Sequence, residues 1–132
     1  MSALPQLEVE GPSGFDAVVG SFKAKTGIGV DAIHPSVWSR ISEKGKQLYT
    51  DPLNDVERTL TWPAQIQTLI YFLVPKTPTG ERPIGLMPSI VRVWERMRKP
   101  IQDQWMISQT RSYDWACKGR SAEMAAWCWR KG

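Results

Sequence analysis

Apolar positions along the chain follow two periods, and each predicts a different kind of element. Ile90, Val93, Trp94, Met97, Ile101 and Trp105 recur at three- and four-residue steps, the stripe of an amphipathic helix. Ser89 stands before it as a candidate N-cap, and Arg92, Arg96 and Lys99 fall on another face. Pro100 is expected to kink or split this helix, because proline removes an internal hydrogen bond and crowds the preceding turn. Phe15, Val18, Val19 and Phe22 fit a helical turn or two. His34-Pro35-Ser36 reads as a helix start, with Val37, Trp38, Ile41 and Leu48 near one stripe. Gly45 weakens that helix, and Thr50-Asp51-Pro52 is expected to end it or begin the next, over Asn54 to Leu60. Ser121 to Trp129 gives a last short helix.

The second period is short. Leu69 to Val74 is rich in β-branched and aromatic residues and predicts a strand. Pro75 to Gly80 supplies turn chemistry, and Arg82 to Met87 predicts the return strand. Pro75 and Pro83 cannot donate to a ladder, so this hairpin should be short or lie at a sheet edge. Residues 1–14, with two Pro and two Gly, read as a loose leader. The expected fold is α+β: short helices around one β-hairpin, in one domain over residues 15–132.

Composition narrows the function less than charge does. The chain is 42% hydrophobic and 23% charged, within the globular range, so a wholly disordered chain is excluded. Residues 1–72 carry 6 Lys/Arg against 8 Asp/Glu, a balance of −2, whereas residues 73–132 carry 11 against 5, a balance of +6. That asymmetry suits a polyanionic partner such as nucleic acid or a nucleotide, and equally a solvated basic face. Two cysteines, Cys117 and Cys128, and a single His34 form no zinc spacing, so two reduced, partly buried thiols and a capping or surface histidine are expected. Met1 to Gly14 lacks the apolar segment of a signal peptide, and no apolar run is long enough to span a bilayer. A soluble, intracellular protein with no membrane partner is the expectation.

The hairpin concentrates the chemistry. If the chain reverses around Thr79, Lys76 and Arg82 oppose each other on facing strands, roughly 5 Å apart at Cβ. Two cations so placed repel unless an anion joins them. Arg offers a planar fork to phosphate oxygens and Lys a movable point charge, together a clamp for a triphosphate. The simpler alternative is two solvated charges, one paired with Glu81.

Phe72-Leu-Val-Pro-Lys76 followed by Gly80-Glu-Arg-Pro-Ile-Gly-Leu86 resembles the reverse transcriptases of non-LTR retrotransposons and group II introns. There a strand ending in "PK" precedes a "G-x-RPI" strand in the fingers region of a right-hand polymerase. Upstream, Gly27-Ile-Gly-Val-Asp-Ala-Ile-His-Pro35 is similar to the family's "G-x-D-x-I-x-P" segment, and Trp62-Pro63 to its approach to the strand, with the order altered. Downstream, Ser89 to Arg98 resembles the helix after "RPI", and Cys117-Lys-Gly-Arg-Ser-Ala-Glu-Met-Ala125 the element before the first catalytic block. The likeness covers about residues 22–129.

The resemblance implies a fragment of an RNA-directed DNA polymerase from a mobile element, with RNA template, DNA primer and deoxynucleoside triphosphates as partners. Lys76 and Arg82 match the cations that hold the incoming nucleotide's phosphates. Arg92, Arg96 and Lys99, on the following helix, are candidates for contact with template or primer backbone, and Arg120 matches a position near the template path. Such polymerases work through two magnesium ions on palm carboxylates. This sequence has no Asp-Asp pair, and none of Asp16, Asp31, Asp51, Asp55, Asp103 and Asp114 begins the catalytic strand motif. No catalytic residue, metal ligand or cofactor is therefore assigned to this chain, magnesium being expected only with the palm region. Trp127 and Trp129 would pack against that palm, and Trp94 and Trp105 belong to the helix core. The alternative is a non-catalytic nucleic-acid-binding module that reuses the fingers, or the product of a decayed retroelement.

Overall fold

A hydrophobic stripe becomes a core only where the chain holds one helical phase. The computed structural model describes residues 4–131 and divides into two compact units, Met1–Lys99 and Pro100–Gly132. The described residues are α+β. In chain order they form α1 (Phe15–Gly20), a 3₁₀ turn (Pro35–Arg40), α2 (Glu43–Thr59), a 3₁₀ turn (Ala64–Ile66), β1 (Ile70–Thr77), β2 (Gly80–Leu86), α3 (Ser89–Gln109) and α4 (Ala122–Lys131). β1 and β2 pair antiparallel as a two-stranded sheet.

The expected helix from His34 into the forties is instead a 3₁₀ turn and a new α-helix. His34 caps the turn: its Nδ1 accepts from Ser36 N at 3.2 Å, so Nε2 carries the proton and donates to the Lys23 carbonyl at 3.2 Å. Ser42 then caps α2, its hydroxyl accepting from Gly45 N at 3.2 Å. This restart resets the helical phase. Leu48 and Val37, expected on a buried stripe, are exposed, while Lys46, Tyr49, Thr50 and Leu53 turn inward at i, i+3, i+4 and i+7.

α2 also runs 17 residues straight through Pro52, where a helix end was expected. Pro52 and Leu48, whose carbonyl loses its partner, are both exposed, so water can take the lost bond. Burying Leu53 on the inner face contributes about 1.5–3 kcal/mol, comparable with the roughly 3 kcal/mol cost of an interior proline. α3 passes Pro100 unbroken for the same reason, since Pro100 and Arg96 are both exposed. α2 ends where Leu60 adopts a left-handed φ of 55°, just before Trp62-Pro63.

The core of the first unit gathers Leu7, Phe15, Val18, Val19, Phe22, Tyr49, Leu53, Val93 and Met97. Trp38 and Phe15 stack against Tyr49 with ring centroids 4.5 and 4.8 Å away, and Trp62 meets Trp94 edge-on at 5.4 Å. Only the first half of the α3 stripe is used this way: Trp105, expected in the core, is 60% exposed.

The loose-leader expectation fails for the described part of residues 1–14; the first three lie outside the described residues. Leu7 is buried, its backbone N–H donates to Asn54 Oδ1 at 2.8 Å, and the Glu8 and Val9 carbonyls accept from Phe15 and Asp16. Two prolines and two glycines signalled a lack of periodicity, and an extended strap tied down by side chains has none.

In the second unit Ser121 caps α4, accepting from Met124 N at 3.2 Å, and Trp127 and Trp129 are exposed. Cys117 is half-buried and donates to the Asp114 carbonyl, whereas Cys128 is exposed rather than partly buried. No helix among the described residues is long and apolar enough to cross a membrane.

Candidate phosphate-binding site

The site begins at the foot of the hairpin. α3 has no acid in its own first turn, and Asp31 supplies one from a distant loop. Its Oδ2 accepts from Ser89 N at 2.7 Å and from Ser89 Oγ at 2.5 Å, and Trp38 Nε1 donates to that hydroxyl at 3.1 Å. A carboxylate here satisfies a helix-end N–H and complements the positive end of the helix dipole. The loop carrying Asp31 lies so close to the strand–helix junction that a Cβ on Gly29 would stand 2.4 Å from the Met87 carbonyl oxygen, a gap only glycine allows. Residues 27–31, Leu86–Ser89 and Trp38 thus form one knot from which the hairpin projects.

The hairpin itself corrects the expected pairing. The turn is Pro78-Thr79, and Arg82 faces Val74, not Lys76. The register slips between Pro75 and Thr77, leaving Lys76 as the extra residue of a β-bulge. Lys76 and Arg82 are therefore not a directly opposed pair, and the spacing of roughly 5 Å expected of one does not apply to them. The slip comes from proline: Pro75 cannot donate to the ladder, and Pro78 presets the turn one residue earlier than a centre at Thr79 would. Both cations are exposed, and neither makes a hydrogen bond or ion pair with any described residue, Glu81 included. The strands run longer than expected, and with only two of them every strand is an edge, the setting in which proline is tolerated.

The other nominated cations are positioned by the fold. Arg92 donates through Nη1 to the Gly27 carbonyl, and Arg96 donates to Ser21 Oγ at 2.9 Å with its guanidinium 3.6 Å above the Phe22 ring. Lys99 continues the same face of α3 and is exposed. Arg120 belongs to the second unit, where its Nη1 gathers the Arg111, Ser112 and Asp114 carbonyls and its carbon lies 5.6 Å from the Trp115 ring. Burial pushes the Glu95 carboxyl up, and the neighbouring charge of Arg92 works against that shift.

Two charged groups were missed. Arg98 grips Glu57 through Nε and Nη2, Trp94 Nε1 donates to Glu57 Oε1 at 2.7 Å, and Arg98 also reaches the Pro5 carbonyl at 2.6 Å. The pair is mostly buried, with 12% and 14% of its side chains exposed. A sequence signal existed: Glu57 follows Leu53 by four residues and Arg98 follows Trp94 by four, so both stand on inward stripes.

The carboxylates do not assemble for metal chemistry. Asp16 pairs with Lys46 at 2.8 Å, Asp55 with Arg58 at 2.9 Å, and Asp51 and Asp114 accept from Gln47 and from Arg111 N. Among the described residues no three His, Cys, Asp or Glu side chains cluster so as to hold a metal ion. The residues present do not fit the two-magnesium centre that the resemblance implies, and no metal-assisted step is derived from them. No protein-family model, curated protein or solved structure matches this chain.

Proposed function

We propose that this chain is the fingers part of a reverse transcriptase-type polymerase, holding the phosphates of an incoming nucleoside triphosphate on the hairpin. One observation carries the reading: Lys76 and Arg82 stand near the tip of an exposed hairpin with no partner among the described residues. The bulge supports it, because a residue released from the ladder is re-aimed away from its neighbours. Cations without a carboxylate keep their full charge for a ligand. Arg92, Arg96, Lys99 and Arg120 are assigned to nucleic-acid backbone. Phosphoryl transfer is assigned to carboxylates that this sequence does not contain.

The test is titration of the full chain with a deoxynucleoside triphosphate and magnesium. Lys76→Ala and Arg82→Ala should each weaken binding by roughly 10- to 100-fold, the value of a charge-assisted phosphate contact. Both variants should keep folding stability within about 0.5 kcal/mol, as exposed substitutions do. Unchanged binding in both variants would sink the clamp.

A further inference from the structure

The arginines of α3 differ in what holds them. On α3 itself, Arg98 is matched by the carboxylate of Glu57. Arg92 and Arg96, on another face of that helix, are held by neutral groups: a carbonyl, a hydroxyl and the Phe22 ring. Those contacts fix the guanidinium planes without a carboxylate hydrogen bond or ion pair. They also clamp the loop of residues 21–27, whose Lys23 carbonyl accepts from Thr26 N at 3.0 Å, Thr26 Oγ1 at 2.6 Å and His34 Nε2 at 3.2 Å. Lys23 and Lys25 project from this fixed loop, exposed and without an ion pair among the described residues. Glu95, on the same helix, interacts electrostatically with Arg92.

We infer that Lys23 and Lys25 join Arg92 and Arg96 in one surface that binds the phosphodiester backbone of a nucleic acid. This rests on the nucleic-acid part of the reading above and not on the hairpin clamp. Arg92 and Arg96 stand one helical turn apart, about 6 Å along the axis, in fixed orientation. A rigid row of forks suits phosphates spaced by covalent bonds, and two flexible lysines beside it follow the strand as it leaves. Lipid headgroups, which diffuse independently, gain nothing from such spacing. Only backbone is read, so RNA and DNA strands of the same length bind alike.

The experiment measures binding of the full chain to labelled single-stranded RNA and DNA of mixed sequence across a salt series. Lys23→Gln with Lys25→Gln removes two surface charges and no packing. It should lower the slope of log affinity against log salt by about 1.4, two contacts at about 0.7 each on a single strand. Lys44→Gln, an exposed cation at the start of α2, should leave the slope unchanged. Strand binding with the same slope in the double variant overturns this surface while leaving nucleic-acid binding elsewhere intact. Absence of strand binding at low salt, or binding to phosphatidylserine vesicles in its place, overturns the surface and the nucleic-acid assignment together. The hairpin clamp is read separately, by the nucleotide titration.

Discussion

The helical body of the first unit and the hairpin contain the same kinds of side chain and treat them in opposite ways. In the body, Phe15, Val19 and Val93 are sealed completely and Leu53 nearly so. On the hairpin, Tyr71 and Leu73 on one face and Phe72, Val74 and Ile84 on the other all remain exposed. A sheet needs a second layer to bury a face, and a lone two-stranded hairpin is marginal by itself. The body spends its apolar residues on stability. The hairpin owes its place to the knot of Asp31, Ser89 and Trp38 at its foot and keeps its outer part available. Charges divide in the same way: Glu57 and Arg98 satisfy each other inside, whereas Lys76 and Arg82 satisfy nothing among the described residues.

The largest blow to that division should come from Glu57→Ala. It leaves the Arg98 guanidinium mostly buried with only the Pro5 carbonyl as a listener, and strands the Trp94 N–H. We expect a loss of roughly 3 kcal/mol in urea unfolding, a large share of a small domain's stability. Replacing both Glu57 and Arg98 by leucine and methionine should recover most of it, because the pair's own desolvation cost disappears with it. A loss below about 1 kcal/mol for the single change would mean that water already reaches the pair and that body and hairpin differ less than their geometry states.

Next comes Asp31→Ala, which removes the remote cap of α3 and leaves the Ser89 N–H and hydroxyl without their acceptor. About 1–2 kcal/mol should be lost. The sharper readout is amide exchange: hairpin amides should exchange faster while those of α2 change little. Equal acceleration in both would show that the hairpin is not held from its foot.

The smallest effect should come from Tyr49→Phe. The Tyr49 hydroxyl is buried and has no hydrogen-bond partner among the described residues, so its removal should be neutral or slightly stabilising at neutral pH, within about 1 kcal/mol. At alkaline pH the sign is definite. Burial first, and the charge of Asp31 second, raise the hydroxyl's pKa above the ordinary tyrosine value. Above about pH 10 the unfolded chain releases this proton and the folded one keeps it, so stability falls as pH rises, by up to about 1.4 kcal/mol per unit. Lys46, raised by its bonds to Asp16 and then Glu43, loses stability in the same alkaline direction. Tyr49→Phe should therefore flatten part of the alkaline decline, seen in melting temperature against pH. An unaltered profile would place the hydroxyl in water.

Much of the local structure was legible because it follows from short-range rules. The β-branched and aromatic run at Leu69 to Val74, the turn chemistry at Pro75 to Gly80, and the three- and four-residue spacing from Ile90 each state an element in a few neighbouring residues. The candidate cations were legible for the same reason, since a Lys and an Arg flanking a turn need no tertiary knowledge. Their relation was not. Whether Lys76 opposes Arg82 depends on one residue of register, and the bulge decided it. The fate of Pro52 and Pro100 was equally hidden. A proline is better tolerated inside a helix where the carbonyl it orphans can reach water, and exposure is a property of packing.

By itself the sequence determined that a hairpin lies between Leu69 and Met87, where α3 begins, and that the basic charge gathers in the second half. These depend on intrinsic propensity, periodicity and composition, which act over a few residues. Tertiary structure alone decided that Leu7 is tied to α2, that the α3 stripe is buried before Pro100 and Trp105 is exposed beyond it, and that Asp31 caps a helix 58 residues away. It alone separated Arg98, neutralised inside, from Arg92 and Arg96, held by neutral groups at the surface. The reason is physical: an arginine's charge is written in the sequence, but its partner is set by which distant groups the fold brings within bonding distance.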